Sequence, residues 1–123
     1  MATVKINQKN YVVPEFTFRH SKMMEQMGLP VEGMTSRRYV FTCVSAFVAI
    51  VVGCDQDQAD YLVEQHIMGG GSLESIYEAY VNAIKDSGFF KKLLSLDDQE
   101  KESEQPKKKS SAKTEQKSSE IEG

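Results

Sequence analysis

The sequence predicts an α+β domain that is mainly helical: an N-terminal β-hairpin packed on a bundle of about four helices, followed by a disordered tail. Three observations carry this. Short β-branched runs flank a turn near the N-terminus. Apolar residues then recur at 3–4 spacing through most of the next 80 or so positions. After about Leu96 the composition changes to Lys, Glu, Ser and Gln. The chain has 123 residues, enough for one small domain, so we place the domain at residues 1–96 and the tail at 97–123.

The hairpin is read from "TVKI" and "YVV", with "NQKN" (Asn7 to Asn10) between them as turn chemistry. Pro14 ends the second strand. A lone hairpin is marginal in water, so it must pack on something. Thr17 is a suitable N-cap for "FRHSKMMEQM". Gly28 suits the left-handed position after the helix, and Pro30 blocks continuation. His20, Met23, Met24 and Met27 share one face, with Phe16 just ahead.

Thr35 or Ser36 can open the second helix, which holds "YVFTCVSAFVAIVVG", Tyr39 to Gly53. The run is apolar nearly all round and calls for cover on several sides. Two buried strands would also fit its β-branched composition, but its length without a turn favours a helix. A membrane span needs roughly 20 apolar residues; this run is shorter and contains Thr42 and Ser45. Asp55 and Gln58 fit a capping arrangement. Ala59, Leu62, Val63, His66 and Ile67 then mark the inner face of a third helix. Leu73, Ile76, Tyr77, Tyr80, Val81 and Ile84 mark that of a fourth, with Gly88 as its expected stop. "FFKKLLSL" reads as a last short amphipathic turn or helix.

Between the third and fourth helices stand three glycines, Gly69 to Gly71. A phosphate-binding loop needs G-x-x-x-x-G-K-[ST] after a strand, and a dinucleotide fingerprint needs G-x-G-x-x-G. Neither is present, and the preceding segment is helical. The glycines are a joint of a helical hairpin, with Ser72 capping the next helix and Glu74 favouring its dipole.

Other candidate chemistry is sparse. His20 and His66 lack Cys or acidic partners at ligand spacing, and His66 lies on an apolar face. Cys43 and Cys54 form no C-x-x-C pair and read as small buried hydrophobes. Arg37 and Arg38 read as solvated residues at a helix start. No catalytic, metal or cofactor site is expected, and the protein is not expected to be an enzyme. Net charge is -3, with 15 basic and 18 acidic residues; residues 1–96 carry nine basic and ten acidic. That balance argues against nucleic acid and anionic membranes as partners. The N-terminus has no apolar signal core, which fits an intracellular protein with reduced thiols. The tail cannot bury enough apolar surface to offset ordering entropy.

Two stretches carry a family resemblance. One is "VKINQKNYVVPEFTFRHSKMMEQMG", a β-turn-β start feeding an aromatic-Thr-aromatic step and a helix. The other is "SAFVAIVVGCDQDQADYLVEQHIMGGGSLESIYEAYVNAIKDSGFF", an apolar helix, an acid-capped helix ending in "EQHIMGGG" and a helix closing on "SGFF". Their order, from about Val4 to Leu94, resembles the tail assembly chaperones of long-tailed bacteriophages and prophages, particularly those of Gram-positive hosts. The resemblance implies a protein that binds the tape measure protein, keeps it soluble and helps recruit major tail protein. It implies action in the host bacterial cytoplasm and absence from the mature virion. Many such chaperones also have a longer, frameshifted form; "PKKKSS", Pro106 to Ser111, would suit an A-rich slippery run.

Amphipathic helices can lay an apolar face on a client helix. The expected contact residues are Phe16 and Phe18 of the "FTF" step, Met23, Met24 and Met27 of the methionine helix, and Phe89 and Phe90. Surplus apolar faces on so small a domain also invite homo-oligomerisation. The alternative function is a small helical adaptor or regulator, in one version binding nucleic acid, since helix–turn–helix units use similar short helices and joints. Against it, the fourth helix begins with Glu74 and Glu78, where a recognition helix would meet phosphates.

Overall fold

A computed structural model describes residues 2–95. The expected disordered tail, 97–123, lies outside the described residues. In chain order the elements are strands β1 (Thr3–Ile6) and β2 (Lys9–Val12), helix α1 (Phe18–Gln26), two single 3₁₀ turns (Val31–Gly33 and Arg37–Tyr39), and helices α2 (Val40–Val52), α3 (Gln56–Met68), α4 (Leu73–Asp86) and α5 (Gly88–Leu93). The fold is α+β and mainly helical, with one two-stranded antiparallel sheet among the described residues.

The hairpin pairs Ile6 with Lys9 and Thr3 with Val12. Its loop is shorter than the expected four-residue turn. Only Asn7 and Gln8 are outside the ladder, both with positive φ, 52° and 69°. Two such residues match the strand twist, and Asn accepts that geometry readily. Val4 and Ile6 alternate inward and are buried. Through them β1 packs on α4 and α3, while β2 leans on α2. This is the support that an isolated hairpin lacks.

Helix α2 is the centre. Every residue from Cys43 to Ile50 is buried, and one of them, Ser45, is polar. Its hydroxyl donates to Asp60 and receives the Gln56 side-chain amide at 3.2 Å. Gln56 also donates to the Met27 carbonyl at 3.1 Å, so one polar cluster ties the end of α1 to α2 and α3. Ser36 caps the Arg37–Tyr39 turn through the Arg38 amide at 3.2 Å, and the chain runs on into α2. Among the described residues no single helix is long and apolar enough to cross a membrane; α2 and α3 bend by 106° at their junction.

The aromatic core joins the layers. Phe16 packs against Phe47 of α2 and Phe90 of α5 with ring centroids 5.9 and 6.4 Å apart, and Phe47 packs against Tyr80 of α4 at 5.9 Å. Such tilted and edge-on pairs suit the ring quadrupoles. The Tyr80 hydroxyl is buried but donates to the Met34 carbonyl at 2.6 Å, which offsets its desolvation.

The α4–α5 boundary differs from expectation. Gly88 does not end α4; it is the first residue of α5. The break is made by Ser87, whose extended backbone follows Asp86 and whose hydroxyl receives the Phe90 amide at 3.1 Å as the cap of α5. Glycine signals stops in general, but here a side-chain cap and a buried serine do the work.

Candidate functional site

The glycine joint holds a histidine in place. The His66 Nδ1 accepts the Asn7 amide at 2.9 Å, and Nε2 lies 3.1 Å from the Ser72 carbonyl. An amide can only donate and a carbonyl can only accept, so the ring carries its proton on Nε2. One imidazole thereby links the hairpin loop to the start of α4. Gly71 is required beside it: a Cβ there would lie 2.4 Å from Nε2. Gly70, at φ 102°, turns the chain. Both polar atoms of His66 are engaged in structure, and Ser72 caps α4 by accepting the Ser75 amide at 3.0 Å.

The other polar candidates are equally committed. His20 is buried in α1; its Nδ1 accepts the Thr17 amide at 3.0 Å. Burial, and secondarily Arg19, lower its pKa. Burial pushes the Cys43 thiol up, and burial with Asp55 pushes up that of Cys54. A raised thiol is a poor nucleophile. Arg37 pairs with Glu74 and stacks 4.9 Å over the Tyr77 ring. No group of three or more His, Cys, Asp or Glu able to hold a metal occurs among the described residues.

The seven expected contact residues divide. Phe16, Met24 and Phe90 are fully buried and offer no side-chain surface to a partner. The pattern placed them on an apolar face, and their large side chains close the core instead. Met23 and Met27 are half-buried. Phe18 is 62% exposed, and Phe89 is half-buried with its ring edge-on to Phe18 at 6.0 Å. The "FTF" and "SGFF" steps thus work alike. One aromatic of each pair points inward (Phe16, Phe90) and the other outward (Phe18, Phe89).

The outward pair adjoins a groove of about 240 Å³, lined by Phe18, Ser21, Lys22, Glu25, Val31, Met34 and Leu93. Val31 and Leu93 are exposed, and Met34 is buried beneath them. This groove runs between α1, the Val31–Gly33 turn and the end of α5. Val31 and Leu93 went unflagged in the sequence: Val31 stands alone after Pro30, and Leu93 was one of many apolar residues in "FFKKLLSL". Exposed apolar side chains that line a concavity mark an interaction site more strongly than scattered ones do. A second hollow of about 320 Å³ is lined by Ala2, Val13, Pro14, Glu15, Ala83, Asp86 and Ser87; it presents no large apolar side chain beyond Val13 and Pro14.

The α3 surface holds another departure. Ile67, placed on the inner face by its spacing, is 43% exposed, and Met68 and Tyr61 are exposed at 77% and 56%. Ala59 and His66 are the residues α3 buries. Leu62 and Val63 are half-buried, so α3 sinks only part of its apolar face. Set against known proteins, the chain matches no protein-family model, no curated protein and no solved structure.

Proposed function

We propose that the protein is a phage tail assembly chaperone that holds the tape measure protein soluble in the host bacterial cytoplasm and helps bring major tail protein to it, without itself joining the virion. The observation that carries the reading is the groove bounded by Phe18, Val31 and Leu93. It is open and sets Phe18, Val31 and Leu93 beside Ser21, Lys22 and Glu25, a mixed lining that suits the apolar stripe and polar flank of an amphipathic client helix. Phe89 supports Phe18 from the side. The order of segments between about Val4 and Leu94 supports the same reading through its resemblance to these chaperones.

The test is co-expression with the tape measure protein from the same gene cluster, with and without this chain. Soluble tape measure protein that co-purifies with the chain is the expected result. Unchanged solubility with no co-purification sinks the reading for this form of the protein.

A further inference from the structure

Helix α3 keeps one side in water, and that side carries charge of a single sign. At 3.6 residues per turn, Asp57, Asp60, Tyr61, Glu64, Ile67 and Met68 fall within about a third of the helix circumference, and all are exposed. Carboxylates alternate there with large apolar side chains: Tyr61 is 56% exposed, Ile67 43% and Met68 77%. No Lys or Arg occurs in α3, and His66 is buried on its other side. Asp60 and Glu64 stand four apart, a like-charge spacing that weakens a helix. Among the described residues the one ion pair is Arg37–Glu74, so no α3 carboxylate has a base within bonding reach. The fold accounts for part of this. Asp60 accepts the Ser45 hydroxyl, and Asp57 in the first turn favours the helix dipole. Glu64 lies well past the first turn, and neither it nor the exposed apolar side chains serve the core.

We propose that this stripe docks a cationic amphipathic helix of another protein, whose apolar side chains pack on Tyr61, Ile67 and Met68 while Lys or Arg on its flanks reach Asp57 and Glu64. The charge pattern selects that occupant. Nucleic acid, an anionic membrane and an acidic helix, a second α3 included, would all meet like charge, which is costly across an interface. An uncharged apolar segment would cover Glu64 and leave it without a partner, which costs more than it gains. A helix with apolar anchors and basic flanks satisfies both kinds of side chain at once. Asp57 and Met68 stand about three helical turns apart, roughly 16 Å, so a partner helix of similar length spans the stripe. No α3 residue lines the α1–α5 groove. The stripe is therefore a second surface, independent of the one proposed for the tape measure protein.

Fluorescence anisotropy on the full chain tests this with two labelled synthetic peptides of roughly 14 residues, long enough to match three turns of α3. One carries Leu along a single helical stripe with Lys on both flanks; its twin carries Glu in place of every Lys. The Lys peptide should bind saturably, at least about tenfold more tightly than its twin, and added salt should weaken it, because screening weakens exposed charge pairs. Glu64→Lys should weaken the Lys peptide and strengthen the twin. Tyr61→Ser with Met68→Ser should weaken the Lys peptide without strengthening the twin. These side chains are exposed, and circular dichroism confirms that the variants fold; Glu64→Gln serves if they do not. Phe18→Ser, in the groove, should bind the Lys peptide as wild type does. Equal binding of the two peptides overturns the proposal. So does no saturable binding of the Lys peptide, binding that ignores the α3 substitutions, or binding that is lost with Phe18→Ser instead. Tape measure solubility enters none of these measurements, so the two readings fail separately.

Discussion

The hydroxyl of Ser87 donates to the carbonyl of Phe16 at 2.6 Å, across 71 positions of sequence. The same oxygen receives the Phe90 amide at 3.1 Å. Ser87 is fully buried, so both contacts form away from water. Through this atom the "FTF" step and the "SGFF" step are fixed to each other, beside the outward rings of Phe18 and Phe89, which meet edge to face.

Ser87→Ala should therefore destabilise the domain by about 2 kcal/mol, because it leaves a buried carbonyl and a buried amide unpaired. Urea unfolding gives the midpoint shift. A change within error would mean that water or a shifted α5 re-satisfies both groups. Ser87→Thr keeps the oxygen and tests whether the loss comes from hydrogen bonding.

Gly71→Ala should also destabilise, by roughly 1–3 kcal/mol, since its methyl would press into the His66 ring and overpacking costs about that much. The nearest approach is 2.4 Å. The diagnostic is a double-mutant cycle with His66→Ala. With the ring gone the methyl has room, so the double mutant should lose less than the sum of the two singles. Full additivity would show that the glycine matters for its backbone alone.

His20 gives a pH dependence with a defined sign. Its pKa is lowered by burial and then by Arg19, and its Nδ1 must stay unprotonated to accept the Thr17 amide. Between the lowered folded pKa and the ordinary value of about 6.5, the unfolded chain binds more protons than the folded one. Stability from His20 is thus fully present above about 6.5 and is lost as pH falls through the folded pKa. His20→Gln keeps an acceptor at the third helical position, as capping boxes use, and removes the titration. The stability difference between wild type and His20→Gln should drift against wild type as pH falls below about 6.5. Parallel pH profiles would place the charge change elsewhere.

Much of this fold was legible in the residues. Short β-branched runs about a turn found the hairpin, and 3–4 spacing found α1, α3 and α4. Length without a turn settled α2 as a helix over two strands. The joint at Gly69–Gly71 followed from the absence of phosphate-loop partners, though the reason for Gly71 did not: His66 reaches it only in three dimensions. Ser87 was invisible because its partners come from tertiary contact. The aromatic pairs could be named as important, yet spacing alone does not say which ring of two neighbours points inward when the chain is between elements. Ile67 misled for a related reason. An apolar period marks a face, and α3 turns only part of that face to the core.

The division of the aromatics makes the last prediction. Phe16 is fully buried and Phe18 is 62% exposed, two positions apart. Phe16→Ala should cost about 3–5 kcal/mol through the cavity it leaves, and any loss of binding would follow from unfolding. Phe18→Ser removes an exposed ring, so stability should change by no more than about 0.5 kcal/mol, apart from its edge contact with Phe89. If the groove holds the tape measure protein, Phe18→Ser should nevertheless lose co-purification while its unfolding midpoint stays near wild type. Leu93→Ser, on the opposite wall, should behave the same way. Full client solubility with both substitutions together would remove the groove from the mechanism and turn attention to α3, where Tyr61 and Met68 provide the other exposed apolar surface.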